Sequence, residues 1–137
     1  MSLDLSSHEG GHRNRLGPKG IECLSLVLRR NPVLSFLGLS STGIGNEGVR
    51  YIAEGLAKNK TLLSLLIANN EISLTGAEQL ERVLPLCALE HLELGMNPLQ
   101  NAGIEKIANV LRLSKSRIRI LGVSDCKFNF LGAAHLY

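Results

Sequence analysis

Aromatic residues are scarce in this sequence. It has no tryptophan, three phenylalanines and two tyrosines, which together make up 4% of its 137 residues. Hydrophobic residues nevertheless account for 45% of the chain, which is enough for one continuous core. The composition therefore predicts a single domain with an aliphatic core, to which leucine contributes most.

Cysteine is also rare, and its pattern excludes two kinds of site. Cys23, Cys87 and Cys126 are an odd number of cysteines without short paired spacing. This argues against a disulfide framework and against a thiolate metal site, and it favours a reducing compartment. We expect Cys23, within a helical stretch, and Cys126 to be structural packing residues rather than nucleophiles.

The chain lacks a block of charge and a long apolar run. Fifteen basic and twelve acidic residues give a net charge of +3, and the basic residues are scattered rather than clustered. Nucleic-acid and membrane surfaces require a more concentrated positive charge. No segment approaches the roughly 18 apolar residues of a membrane span, and the N-terminus does not resemble a signal peptide. We therefore expect a soluble, cytoplasmic protein that binds neither nucleic acid nor membrane.

A period of about 28 residues runs along the chain. Glycine opens an apolar-periodic stretch five times, with steps of 28, 28, 27 and 29: Gly20, Gly48, Gly76, Gly103 and Gly132. A second set of markers has steps of 28, 27 and 29: Leu34, Leu62, Leu89 and Ile118. Two independent sets of markers therefore fix the same register.

Each unit contains two kinds of apolar periodicity. Alternation around a central leucine predicts a short strand with one buried face, and the four leucines concerned are Leu37, Leu65, Leu92 and Leu121. After each glycine, apolar residues recur at helical spacing, which predicts a helix with one apolar stripe. Between strand and helix stands a polar residue that we expect to lie inside and bond the backbone of the turn: Thr42, Asn70, Asn97 or Cys126.

The resulting pattern, L-x-x-L-x-L-x-x-N/C-x-L, is identified as that of leucine-rich repeats. With about 28 residues and a full helix per unit, the chain resembles the ribonuclease-inhibitor-like subfamily, which is also found in Ran GTPase-activating proteins and NOD-like receptors. The resemblance covers essentially the whole chain. It implies an α/β fold, a curved right-handed solenoid with a parallel β-sheet on the concave face and helices on the convex face. We expect one domain, 1–137, with units at 1–33, 34–61, 62–88, 89–117 and a partial unit at 118–137.

The first unit departs from the pattern. Leu3 matches Leu37 at an offset of 34, whereas Leu16 matches Ile44 at an offset of 28. Six residues are therefore inserted, and residues 6–15 are predicted to form a bulging loop.

The last unit is short and lacks the polar cap that normally ends a solenoid. Either the chain is a fragment or another molecule covers this edge. Self-association would hide Phe128, Phe130 and Leu131, and a second copy is therefore one candidate partner.

One string resembles a catalytic motif. His8, Glu9 and His12 spell the H-E-x-x-H of zinc peptidases, in which a rigid helix presents two histidines to the metal. Paired glycines within the string disfavour a helix, the insertion places it in a loop, and no third ligand is apparent. We predict a solvated loop, no metal, no cofactor and no catalytic residue, because nucleophile and nucleotide motifs are also missing.

The remaining candidate is the concave face, where residues flanking each central leucine point away from the core. The expected partner-binding residues are apolar and polar side chains on this face: Phe36, Leu66, His91, Glu93, Met96, Ile120 and Asp125. Grouped apolar residues favour an interface with a protein partner. The alternative is that Phe36 and Ile120 only make ordinary contacts with neighbouring strands.

Two other functions stay open. The resemblance to Ran GTPase-activating proteins implies that Arg13 or Arg15 would stabilise transition-state charge. The resemblance to NOD-like receptors implies instead a ligand-sensing fragment, or a microbial effector that copies such an array.

Overall fold

The computed structural model describes residues 1–8, 14–113 and 116–136, in which strands and helices alternate. The strands are β1 (Ser2–Asp4), β2 (Phe36–Gly38), β3 (Ser64–Leu66), β4 (His91–Glu93) and β5 (Ile120–Gly122). The helices are α1 (Gly17–Arg30), α2 (Gly45–Leu56), α3 (Leu74–Val83), α4 (Gln100–Arg112) and α5 (Phe130–Ala134). The strands form one open parallel sheet in chain order. The predicted solenoid, with its sheet on the concave face and its helices on the convex face, is confirmed.

Stacking brings the central leucines of all strands into one row. The pairing aligns Leu3, Leu37, Leu65, Leu92 and Leu121 across the sheet. Leu37, Leu65 and Leu92 have no exposed surface, as period-2 burial requires. The pairing of Leu3 with Leu37 confirms the register of the first unit and places the inserted residues between β1 and α1.

The repeated glycines lie within the first turn of the helices and do not open them. Helix α2 begins at Gly45, three residues before Gly48. A Cβ on Gly48 would stand 2.6 Å from the Cβ of Ile44, the buried apolar residue that ends the turn. This close contact lies within one helix, and the helix starts that were predicted at the glycines were wrong by two or three residues.

The buried asparagines connect each unit to the one before it. The Oδ1 atom of Asn70 accepts from the backbone N–H groups of Thr42 at 3.0 Å and Gly43 at 2.9 Å, and its Nδ2 donates to the Leu39 carbonyl at 2.8 Å. Asn97 repeats this arrangement one unit later, where its Oδ1 accepts from the backbone N–H of Asn70 at 2.8 Å. Because an unsatisfied buried backbone group costs about 1–3 kcal/mol, this ladder stabilises every turn that it reaches.

A second ladder, which the sequence reasoning missed, runs through the return loops. Asn59 is 3% exposed, and its side chain donates to the carbonyl groups of Leu28 and Asn31 at 2.8 and 3.2 Å. Its Oδ1 accepts from the Leu62 N–H at 2.8 Å. Asn31 accepts from Leu34 in the same way, at 2.7 Å. The helix layer and the sheet are therefore fixed to each other at both ends of a unit.

The C-terminal unit is less enclosed than the others. Helix α5 has five residues, and Leu121 and Val123 are only partly buried. Phe130 is 79% exposed, and Leu131 is also largely exposed. The described residues of this unit therefore expose two large apolar side chains. Of the helices in the described residues, none is long and apolar enough to cross a membrane.

Candidate partner-binding face

Two rows of side chains point away from the core on the concave side of the sheet. The outer row consists of Ser2, Phe36, Ser64, His91 and Ile120, and the inner row of Asp4, Gly38, Leu66, Glu93 and Gly122. Neighbouring strands lie about 4.8 Å apart, so that the outer row extends about 14 Å from Phe36 to Ile120. The seven predicted site residues lie in these rows or on the turns that follow them.

The four apolar candidates differ in exposure. Ile120 is 60% exposed and Met96 is 54% exposed. Phe36 and Leu66 are half-buried. Ile120 and Met96 therefore offer the larger apolar surface to a partner, whereas Phe36 and Leu66 also contribute to packing within the sheet.

The polar candidates are held in place by their neighbours. The Nδ1 atom of His91 lies 3.1 Å from the Ser64 hydroxyl on the adjacent strand. The Oε1 atom of Glu93 accepts from the Gly95 N–H at 2.7 Å, two residues further along the chain. Both side chains are half-buried, and their positions are therefore set before any partner arrives.

The position of Glu93 depends on a glycine that sequence reasoning did not single out. The carboxylate lies over Gly122 of the next strand, where an added Cβ would overlap it. Asp4 lies over Gly38 in the same manner and accepts from the Ser6 N–H at 3.0 Å. This N–H bond stabilises the carboxylate and lowers the pKa of Asp4. An acidic residue followed by glycine at the equivalent position of the next unit was the available signal.

A repeated left-handed residue follows each of the last four strands. Ser41, Asn69, Met96 and Asp125 all have φ between 52° and 58°. This conformation turns the chain so that the next residue points into the core, where it forms the asparagine ladder. The side chain of Met96 stays outside at the rim, although a methionine in this region is strained by about 1 kcal/mol. No periodicity in the sequence marks this turn.

A shallow depression of about 710 Å³ opens beside these turns at the carboxyl ends of the strands. Its lining includes Ser41, Asn69, Met96 and Arg15. Arg15, one of the two arginines considered for GTPase activation, is exposed here. Arg13, the other, lies outside the described residues.

The sequence string that resembled a zinc motif is only partly visible. His8 is exposed, with its Nε2 3.9 Å from a carboxylate oxygen of Asp4, while Glu9 and His12 lie outside the described residues. Within 1–8, 14–113 and 116–136, no three histidine, cysteine or acidic side chains are grouped to hold a metal ion.

The cysteines divide into one exposed and two buried residues. Cys87 and Cys126 are buried, and burial raises the pKa of both thiols. Cys126 donates to the Leu94 carbonyl at 3.2 Å, which confirms its predicted packing role. Cys23 is exposed on α1, and the same prediction was wrong for it, because its side chain points away from the rest of the stack.

Comparisons with known proteins agree with the repeat fold. A family model described as "Leucine Rich repeat" matches residues 30–53, 58–80 and 86–108, about half of the chain. Ribonuclease inhibitor from Sus scrofa is 32% identical over 125 residues, which cover 89% of this chain and 27% of that protein. NACHT, LRR and PYD domains-containing protein 14 from Mus musculus is 31% identical over 115 residues, 82% of this chain and 12% of that protein.

A solved structure shows the same fold. The structure titled "Leiomodin-1 Actin-Binding Site 2" aligns with a TM-score of 0.76 and 18% identity, covering 98% of this chain and 78% of that one. At this identity the likeness concerns the fold alone. The chain spans only a small part of the two curated relatives, at most 27% of their length.

Proposed function

Because this chain belongs to the leucine-rich repeat family, we propose that it is a non-catalytic binding module that holds a protein partner against its concave sheet. The observation that carries the proposal is the combination of exposed Ile120 and Met96 with the fixed polar pair His91 and Glu93 on one face. Apolar anchors beside oriented polar groups are the usual composition of a protein interface.

The apolar residues supply the larger part of the expected affinity. Fully burying an isoleucine or methionine side chain contributes about 1.5–3 kcal/mol, and Ile120 and Met96 have more than half of their surface still to bury. Phe36 and Leu66 extend the same apolar surface across the neighbouring strands.

The polar residues contribute specificity. His91 and Glu93 already hold one partner each within the chain, which lowers the entropy cost of ordering them on binding. The two rows carry the carboxylates of Asp4 and Glu93, and the left-handed turn residues that follow the strands add that of Asp125. No lysine or arginine stands at these positions, which are the two rows with Ser41, Asn69, Met96 and Asp125. Basic groups on the partner therefore complement this face.

The test is a capture experiment with variants of matched exposure. A double variant, Met96→Asp with Ile120→Asp, removes both anchors without touching a fully buried residue. Leu86→Asp is the control, because Leu86 is 57% exposed but lies after α3, away from the concave rows. We expect the wild type and the control to capture the same protein from cell lysate and the double variant to lose it.

Two outcomes would contradict this proposal. Capture by the double variant at the wild-type level would remove the concave anchors from the interface. Loss of capture in the Leu86→Asp control as well would show that the effect is not specific to the concave face. Circular dichroism of all three proteins establishes that they are equally folded.

The likeness to a NACHT, LRR and PYD domains-containing protein supports a second candidate, a segment of a ligand-sensing array. In that case the same face would contact a ligand within a longer protein. A nucleotide-binding domain adjacent in the gene would favour this candidate.

The cytoplasmic location remains a prediction, with which three free thiols agree.

A further inference from the structure

We propose that the return loops carry a second interaction surface, which binds an extended acidic segment of a partner protein that also has aliphatic side chains. This surface, the return-loop patch, consists of three cations and two aliphatic residues from two adjacent loops: Arg30, Val33, Lys58, Lys60 and Leu63. The loops enter β2 and β3, and both strands are paired on either side. The exposure of the patch is therefore a property of interior loops, and the inference is independent of the concave face.

Hydrogen bonds hold the two loops side by side. The Thr61 hydroxyl donates to the Leu34 carbonyl at 2.9 Å, and the Leu63 N–H donates to the Ser35 carbonyl at 2.9 Å. The side chain of Asn59, which belongs to the second ladder, also bonds the preceding loop. The residues of the patch are therefore presented together on one surface.

The described part of the chain does not neutralise the charges of the patch. On the helices, Glu54 pairs with Arg29 at 3.1 Å and with Arg50 at 2.8 Å. Among the described residues, no acidic side chain pairs with any of the three cations of the patch, and all three are exposed. Glu90, just before β4, limits the positive surface on that side. Like charges in adjacent loops repel one another, so that an anionic group bound between them would be favourable.

One of these cations is already held in place. The Nζ atom of Lys60 donates to the carbonyl of Leu86, in the next return loop, at 2.6 Å. An ammonium group has three N–H donors, so that donors remain for a carboxylate of the partner. Because the side chain is ordered in advance, binding costs less entropy than it would for a free lysine.

A structural explanation accounts for only part of the patch. A cation in the last turn of a helix stabilises the helix dipole, and this explains Arg30, which ends α1. Lys60 lies four residues after Leu56, where α2 ends. The dipole effect falls off within the last turn, and the charge of Lys60 is therefore available for a different role.

Two aliphatic side chains lie in the same loops as these cations. Val33 is 56% exposed and Leu63 is 42% exposed, although each stands beside a buried leucine, Leu34 or Leu62. Single exposed aliphatic residues are normal on a protein surface. Two of them in adjacent loops, together with unpaired cations, form a mixed surface of the kind found at protein interfaces.

The composition of the patch favours a protein segment over other anionic partners. Proteins that bind single-stranded nucleic acids stack the bases on aromatic side chains, and residues 30–35 and 57–63 contain none. Surfaces that bind anionic membranes by charge use about four to eight clustered basic residues, whereas the patch has three. An acidic segment with aliphatic side chains matches the whole patch, because its carboxylates pair with the cations while its aliphatic groups cover Val33 and Leu63.

The probe is a fluorescein-labelled synthetic peptide in which glutamate and leucine alternate with serine. About 12 residues suffice, because an extended chain spans about 3.3 Å per residue and therefore reaches across the loops. Fluorescence anisotropy measures its binding to the full chain at protein concentrations up to about 1 mM. We expect saturable binding that weakens about tenfold when the ionic strength is raised from about 0.05 M to about 0.5 M.

Two control peptides test the two kinds of contact on the unchanged protein. Glutamine in place of glutamate removes the charge, and serine in place of leucine removes the aliphatic groups. We expect each control peptide to bind about tenfold more weakly than the probe. Because these measurements use the wild-type chain, they do not depend on the folding of any variant.

Protein variants locate the site. Lys58→Glu with Lys60→Glu reverses two charges of the patch, and we expect peptide binding to weaken about tenfold or more. Lys19→Glu with Lys127→Glu makes the same change in net charge at two exposed lysines outside the return loops, and we expect an effect below about twofold. Circular dichroism establishes that both variants are as folded as the wild type.

The proposal is overturned if the wild type does not bind the acidic peptide at about 1 mM, or binds the glutamine peptide equally well. An equal loss of binding in both double-lysine variants would show that the overall charge attracts the peptide and not the patch. Tighter binding to vesicles that contain phosphatidylserine, or to a single-stranded oligonucleotide, would show that the partner belongs to a different class.

Discussion

The interior units and the C-terminal unit share one sequence pattern but differ in what surrounds it. Leu65 and Leu92 have no exposed surface, whereas Leu121, at the same position in β5, is only half-buried. Asn97 forms hydrogen bonds to the preceding turn and within its own unit, whereas the thiol of Cys126, a weaker donor, bonds the Leu94 carbonyl at 3.2 Å. The comparison teaches that the stability of a motif in a stacked protein depends mainly on its neighbours.

The largest expected effect comes from removing the ladder residue in each region. Asn97→Ala leaves the buried N–H groups of Asn70 and Ile72 and the carbonyl of Ile67 without partners. At about 1–3 kcal/mol for each group, we expect the free energy of unfolding to fall by about 4 kcal/mol. Cys126→Ala, the matched change in the last unit, should lower it by about 1 kcal/mol. Urea denaturation of both variants measures the difference. Equal losses of unfolding free energy would contradict the difference between the two regions.

A second prediction concerns local opening. Cys87 and Cys126 are both buried, and burial raises the pKa of both thiols, so that little thiolate is present at neutral pH. Labelling with a thiol reagent should therefore require opening and should accelerate as pH rises towards the raised pKa. We expect exposed Cys23 to react first, then Cys126, and Cys87 last, with the two buried thiols differing roughly tenfold.

Mass spectrometry of the labelled protein over time gives the three labelling rates. The single variants Cys23→Ser, Cys87→Ala and Cys126→Ala assign each rate to its cysteine. Labelling of Cys87 before Cys126 would mean that the C-terminal unit is no looser than the interior, contrary to what its exposure indicates.

The smallest expected effect concerns Met96 in an interior turn. Its strained conformation lowers the stability of the chain, while its side chain is proposed to bind the partner. Met96 has φ of 55°, and Asn69 occupies the same conformation one unit earlier. Because asparagine tolerates the left-handed region, Met96→Asn should raise the free energy of unfolding by about 0.5 kcal/mol. Partner capture should decrease at the same time. Asp125→Asn at the C-terminal turn serves as a control for stability alone, because aspartate already tolerates the left-handed region. A Met96→Asn variant that is less stable would contradict the strain argument.

The sequence predicted the repeat well because its signals are local. Alternation marks a strand and helical spacing marks a helix within a few residues, and the pairing of Leu3 with Leu37 followed from the same count. The helix starts were less accurate, since Gly48 is needed for contact with Ile44 and not for a turn. For the candidate site, sequence reasoning could place His91 and Glu93 on one face, but it could not show that Gly122 makes room for the Glu93 carboxylate.

The sequence by itself determined the fold class, the register of the units and the identity of the buried faces, because residues a few positions apart decide strand, helix and burial. Only the tertiary structure decided which amide oxygen meets which backbone N–H, and how much of Ile120, Met96 and Phe130 stays exposed. Those features depend on contacts between residues about 28 positions apart. Such contacts form only once the units have stacked on one another.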